Sequence, residues 1–400
     1  MSHDNDRIEA IAKALQGTDL DALVCTLSEN VLLLSGYWPV VGTSVAVATT
    51  NGEVAILAPE DESDLASHGW ATRVETYEPG SLTHPTTPSD AVRGPLGTLL
   101  RKLGVGGGRL GFEDGAAYAE SSYAAMHLYQ AGIRSVLSAA APEATLMSGA
   151  EPLARLRAVM TPEEVGKVKL ACQVAGEAFT DAARQIRAGM FEAEVASVFS
   201  MPMAVSGLAH AGAERAGGYT WCMSGQNSAL AGAAYARTRN KKLNEHDLVL
   251  LHCNSYIDGY WTDITRTYTL GLPDDRKRDM YDAILAARGA ALDTIFPGAR
   301  AGDVDNAARS VLDERGFGKF FTHGLGHNVG FSAISAEYRP RLYPGSSDVL
   351  EVGMTFNVEP AIYIKGYGGI RHCDVVTVGV SGPEVLTDFQ TELSGLVVGG

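Results

Sequence analysis

LVLLHCNSYIDGYWTDITRTYTL, residues 248–270, decides the fold. Two runs of aliphatic, β-branched and aromatic residues flank Asp258-Gly259, a dipeptide suited to the positive φ values of a two-residue hairpin loop. With that loop setting the register, Asn254 sits opposite Asp263 and His252 lies diagonally beside it. All three then share one face of the sheet, because side chains alternate along a strand. A carboxylate and an imidazole on one face of a rigid hairpin suit a metal site or an acid–base pair.

Downstream of the hairpin come three further stretches with chemistry. In FFTHGLGHNVGF (320–331), His323 and His327 are four residues apart, among glycines that permit close backbone approach. MTFNVEPAIY (354–363) ends an apolar strand-like run on Glu359, followed by Pro360. GGIRHCDVVTV (368–378) heads another strand, where alternation sends Arg371 and Cys373 one way and His372 and Asp374 the other.

Upstream, Thr161, Pro162 and Glu164 sign the start of a helix whose apolar positions, Val165 to Ile186, keep helical spacing until Gly189. A second helix is expected from Asp275 to Ile295, stopping before Pro297-Gly298. IRAGMFEAEVA (186–196) and IFPGARAGDVD (295–305) resume in similar ways after these stops, which suggests a faint duplication, two α/β halves of one domain. The first ~150 residues read as alternating helices and short buried strands, with Asn51-Gly52 turning one strand pair. The glycine run Gly104 to Gly108 precedes a strand and lacks a following lysine, so it reads as a turn and not a phosphate loop. Residues 138–152 are small, Pro/Ala-rich and without periodicity. The expected division is therefore an N-terminal α/β domain, 1–150, and a C-terminal domain, 151–400.

Composition bounds the function classes. Four hundred residues exceed one ordinary core, and 46% apolar with 20% charged residues describes a globular chain. Forty-seven acids against 32 bases leave a formal charge of −15, which repels phosphate backbones and argues against nucleic acid. The longest apolar runs, such as Ala22–Leu27, are strand-length, so no membrane partner is expected. The opening MSHDNDRIEAIAKALQG has no signal-peptide core, and the five scattered cysteines form no CxxC pair. A reducing cytoplasm is the expected location.

The hairpin and the three stretches downstream of it, taken together, resemble the family of methionine aminopeptidase, aminopeptidase P, prolidase and creatinase. The resemblance implies a pita-bread C-terminal domain with a smaller α/β creatinase-like N-terminal domain. In the family's metallopeptidases, a DxGxxxxGYxxDxTRT motif supplies two aspartates; an HGxGH histidine, an EP glutamate and a GxRxED glutamate complete a two-metal site. Carried onto this chain, Asp263, His327 and Glu359 match. His252 stands where the first aspartate belongs and Asn254 where its glycine belongs, while Cys373 replaces the last glutamate. Two histidines that handle substrate in the peptidases are replaced by Ile334 and Gly232.

Paired cations need bridging carboxylates to offset their repulsion; here one bridge is turned to cysteine and a bidentate acid to histidine, so the ligand set loses two carboxylates. One reading is a single divalent ion held by Asp263, His327 and Glu359 with Cys373 or His252, an N, O and S donor set that favours zinc or iron over manganese. The other is a metal-free pocket, as the resemblance to creatinase implies, with His252, His323, His327 or His372 as acid–base. The candidate catalytic residues are His252, His323, Glu359 and Arg371; the candidate substrate-binding residues are Tyr235, Trp221, Asn254 and His372, with Tyr219 a further candidate for the pocket lining. Arg371 either grips a substrate carboxylate or neutralises Glu359 and Asp374.

The expected protein is a homodimeric hydrolase acting on a C–N bond of a small amide, amidine or short peptide-like substrate. The alternatives are a lyase or iron-dependent oxidative enzyme on the same fold, an Xaa-Pro aminopeptidase proper, and a ligand-binding pseudoenzyme.

Overall fold

The computed structural model describes residues 4–114, 131–210, 212–234, 237–335 and 338–399. The chain falls into two compact units, Met1–Thr161 and Pro162–Gly400. Among its described residues the first is built on six strands: β1 (Ala22–Cys25), β2 (Val45–Thr49), β3 (Val54–Pro59), β4 (Arg73–Tyr77), β5 (Arg109–Phe112) and β6 (Thr145–Ser148). They lie in the order β4-β3-β2-β1-β5-β6, antiparallel within β1–β2–β3 and parallel at the other pairings. Gly52, at φ 85°, turns β2 into β3 as its sequence demands. The glycine run connects the helix Pro88–Lys102 to β5 as a turn. Leu96, Leu99 and Leu100 of that helix bury against Val24, Val47 and Phe112 of the sheet.

The stretch 138–152 differs from its expected description. It holds the end of a helix, Ala131–Ala140, then β6, then the start of the helix Ala150–Ala158. A four-residue strand and a nine-residue helix are too short to display a period.

In the second unit, the helix Pro162–Ala183 starts where its signals place it but ends six residues before Gly189. Gly189 (φ 87°) instead admits the next helix, Glu192–Ala209, and Gly298 (φ 93°) stands likewise between the helices Asp275–Thr294 and Ala301–Glu314. Each half thus repeats a helix, a left-handed glycine and a second helix.

The strands of this unit are β7 (Ala216–Ser224), β8 (Leu248–Ile257), β9 (Tyr260–Trp261), β10 (Ile264–Leu270), β11 (Thr355–Val358), β12 (Ala361–Ile364), β13 (Gly368–Arg371), β14 (Asp374–Gly379), β15 (Gly382–Val385) and β16 (Val397–Val398). One sheet runs β16-β10-β8-β7 with β9 on β8; β11-β14-β15 and the hairpin β12-β13 stand beside it. Asp258 (φ 48°) and Gly259 (φ 84°) make the two-residue turn. Ile257 pairs with Tyr260 and Cys253 with Ile264, so the register continues unbroken and sets Asn254 opposite Asp263.

The opposite face of β10 is core. Tyr268 lies against Phe199 at 6.2 Å, and Phe199 meets Phe179 edge-on at 5.0 Å. Burying each such ring contributes about 1.5–3 kcal/mol, which fixes the strand that carries Asp263. Among the described residues, no helix is long and apolar enough to cross a membrane.

Candidate active site

Backbone pairing brings the distant segments together. Cys373 N donates to Thr265 O at 3.0 Å, joining β10 to the turn between β13 and β14. On the other side, Asn357 N donates to His327 O (3.1 Å) and Glu359 N to Leu325 O (2.8 Å). This approach needs Gly326: a Cβ there would lie 1.8 Å from the Asn357 carbonyl oxygen. Gly326→Ala is therefore expected to cost about 1–3 kcal/mol or more from overpacking and to displace His327. A thermal melt and an activity assay would check it, and a variant matching the parent in both would contradict this account of the loop.

The structure converges Asp263, His252, His327, Glu359, Arg371 and Cys373, all buried. His327 Nδ1 is bonded to Asn328 O, so Nε2 faces Asp263 Oδ2 at 3.3 Å and Glu359 Oε1 at 4.0 Å. Arg371 donates from Nη2 to His252 Nδ1 (2.8 Å) and from Nε to Thr265 Oγ1 (3.0 Å), with Nη1 3.7 Å from Glu359 Oε2. The Arg371 guanidinium thus lies between the position that lost its aspartate and the remaining glutamate. Asp374 is not its partner; that carboxylate pairs with Arg266 at 2.7 Å. Nor does Asp263 pair with Arg266.

These surroundings set the proton positions. Burial, helped by Arg371, pushes His252 down to about 4 against the pull of Asp263, so its ring is neutral and Nδ1 accepts. Burial likewise takes His323 to about 4; its Nδ1 is tied to Gly324 O and its Nε2 to Tyr363 Oη. Burial and Arg266 take His372 to about 4 as well. His327 is the exception: burial would lower it, but the hydrogen bond and charge of Asp263, with Glu359, raise it above 6.5. Burial raises Glu359 to about 7 even though Arg371 opposes the shift. Asp263 stays ionised and lowered, because the surrounding imidazoles and Arg371 outweigh its burial.

Several expected residues stand elsewhere or play another part. His372 does not enter the pocket; it faces Asp374 at 3.3 Å on the far side of its strand, as alternation requires. Tyr235 lies outside the described residues. Trp221 stacks on His252 with centroids 5.3 Å apart. Asn254 donates to Thr262 O at 3.3 Å, beside Asp263. Gly232, where the resemblance calls for a histidine, is covered by the Tyr363 ring, 2.8 Å from where its Cβ would be.

Two residues went unread in the sequence. Asn357 Nδ2 sits 3.3 Å from Asp263 Oδ2, 3.2 Å from His327 Nε2 and 3.6 Å from Cys373 Sγ, while its Oδ1 accepts from His327 N. Its place two residues before Glu359, on the same strand face, was the available signal. Thr265, two residues past Asp263, was available in the same way.

The donor set does not fit paired cations. Cys373, in place of the bridging carboxylate, is a buried thiol whose pKa burial raises well above 9, and its Sγ donates to Asp263 O at 3.1 Å. His252 is taken up by Arg371, which already supplies the positive charge beside Glu359. Among the described residues, no group of three or more His, Cys, Asp or Glu side chains is arranged to hold a metal ion.

Residues 166–379 match metallopeptidase family M24, and residues 7–159 match the creatinase/prolidase N-terminal domain. The chain belongs to metallopeptidase family M24. It is an enzyme of hydrolase lineage, with the two-domain α/β architecture and pita-bread C-terminal domain that the sequence implied. It is similar to an Xaa-Pro dipeptidase of Pyrococcus furiosus, 34% identical over 60% of this chain and 65% of that one. Against the Xaa-Pro dipeptidase of Pyrococcus horikoshii, identity is 26% over 97% of this chain and 99% of the relative. The solved Xaa-Pro dipeptidase from Bacillus anthracis superposes with a TM-score of 0.78 at 26% identity, covering 98% of this chain and 99% of that one. The M24 family uses divalent metals, so the departures at His252 and Cys373 mark this member out.

Proposed function

We propose that this M24 hydrolase cleaves the C–N bond of a small amide or dipeptide by acid–base chemistry of its own side chains. The observation that carries the reading is the pairing of Glu359, held at about 7, with His327, the one raised histidine among the described residues, 4.0 Å away. A carboxylate near neutrality can take a proton from water at working pH, and a charged imidazole beside it can give one to a departing nitrogen. Asp263 orients that imidazole and favours its charged form. The Arg371 guanidinium, fixed by Thr265 and His252, lies beside Glu359, where it would stabilise negative charge developing on the carbonyl oxygen. Asp263 Oδ1 has no hydrogen-bond partner among the described residues, an acceptor position for a substrate N–H.

His252, His323 and His372 are neutral by the same physics and are not the acid. The names of the relatives make an Xaa-Pro dipeptide the first substrate to assay, which moves the Xaa-Pro peptidase alternative ahead of a lyase or oxidative enzyme. The five cysteines are all free and buried, which supports a reducing compartment. The family resemblance supports a homodimer.

A pH profile tests the pair. The base must be deprotonated, so kcat/KM should rise with pH through about 7 as Glu359 loses its proton. It should then fall at higher pH, as His327 loses its own. A flat profile between pH 5 and 9, about two units either side of Glu359, would remove Glu359 from the reaction.

A further inference from the structure

The site face of the sheet carries more rings than acid–base chemistry needs. Pairing sets Trp221 opposite His252, Tyr219 opposite Asn254 and Tyr256 opposite Trp261, so these side chains share the face that holds Asp263. The rings form a graded row. Trp261 and Tyr219 are 6.3 Å apart with planes 6° from parallel, Tyr219 and Trp221 are 6.3 Å apart at 22°, and Trp221 and His252 are 5.3 Å apart at 23°. Tyr256 backs Trp261 at 4.7 Å. The row runs from Tyr219, 59% exposed, to His252, 2% exposed. A single exposed ring is ordinary, but here one exposed ring, Tyr219, is continued by the half-buried Trp221 to a buried polar centre, which makes a binding surface.

We propose that this row is a specificity subsite: it takes a planar aromatic side chain of the substrate against the exposed ring of Tyr219, while the scissile bond lies at Glu359 and His327. The substrate class is thus a dipeptide with Phe, Tyr or Trp on the amino side of the cleaved bond. The inference rests on the hydrolytic reading above and names the substrate for that site. Near-parallel, offset planes are the arrangement in which one more aromatic ring continues the stack favourably.

The test compares Phe-Pro, Ala-Pro and Lys-Pro as substrates of the full chain, alongside calorimetric binding of phenylalaninamide and alaninamide. Phe-Pro should exceed Ala-Pro in kcat/KM by about tenfold, the size of a good aromatic contact. Tyr219→Ala should reduce that ratio to about twofold or less, whereas Tyr219→Phe, which keeps the ring, should retain it. Equal cleavage of Phe-Pro and Ala-Pro by the parent would overturn the subsite and leave the hydrolytic reading standing. A ratio unmoved by Tyr219→Ala, or Lys-Pro cleaved faster than Phe-Pro, would also overturn it. Tighter binding of phenylalaninamide than alaninamide, lost in Tyr219→Ala, with no dipeptide cleaved, would sustain the subsite and sink the reaction. Neither binding nor cleavage would sink both.

Discussion

Glu359→Gln is expected to lower kcat/KM by about 10²–10⁴-fold, the usual contribution of a positioned general base. The change is nearly isosteric, and Glu359 N keeps its bond to Leu325 O, so the loop that seats His327 should stand. What disappears is the group that burial raises to about 7 and that lies 4.0 Å from His327 Nε2. With it should go the acidic limb of the pH profile, since an amide side chain does not titrate. The residual activity should depend on pH only through the alkaline limb. Activity within a factor of about three of the parent, a shift of well under one pKa unit's worth of energy, would take Glu359 out of the reaction.

Asp374→Asn is expected to destabilise the second unit by about 3–5 kcal/mol, the cost of stranding a buried charge. Asp374 is wholly buried; its Oδ1 accepts from Arg266 Nη2 at 2.7 Å and Thr387 Oγ1 at 2.7 Å, and Arg288 bonds its Oδ2. Arg266 is wholly buried too and gives its remaining donors to the carbonyls of Thr265, Cys373, Thr387 and Phe389. Removing the carboxylate leaves that guanidinium's charge uncompensated. Burial opposes ionisation of Asp374, but Arg266, His372 and Arg288 more than reverse it and hold the pKa well below 3.8.

For a group whose folded pKa is depressed, the stabilisation is complete above the unfolded value and is lost as pH falls through the folded one. The difference in stability between parent and variant should therefore be full at neutral pH and shrink below about pH 4. Urea titrations of the two proteins at pH 7 and pH 3.5 would measure it. Equal stability at pH 7 would show that the cluster contributes nothing.

The hairpin was legible because its turn chemistry is local. Asp258-Gly259 sets the register, the register sets the faces, and Asn254, His252 and Asp263 follow without tertiary information. The alternation at 371–374 was legible for the same reason, and it correctly parts Arg371 from Asp374; the substrate role expected of His372 ignored it. The position of the Arg371 guanidinium was not legible. It depends on β13 packing against β10, more than a hundred residues away in sequence, and no local pattern states which of His252, Glu359 and Asp374 it will reach. Asn357 was missed because an amide in an apolar strand looks inert until a neighbouring loop supplies the imidazole it touches. The stretch around 150 carried no readable signal because its elements are too short to display a period.

In the proposed reaction Arg371 and a charged His327 take over the electrostatic work that paired cations perform when all five acidic and imidazole ligands are present. Elemental analysis of the purified chain, with activity followed before and after exhaustive chelation, tests it most directly. The expected result is no stoichiometric metal and activity that survives the chelator. One or two equivalents of a divalent ion per chain, with activity lost on their removal and restored on their return, would contradict it.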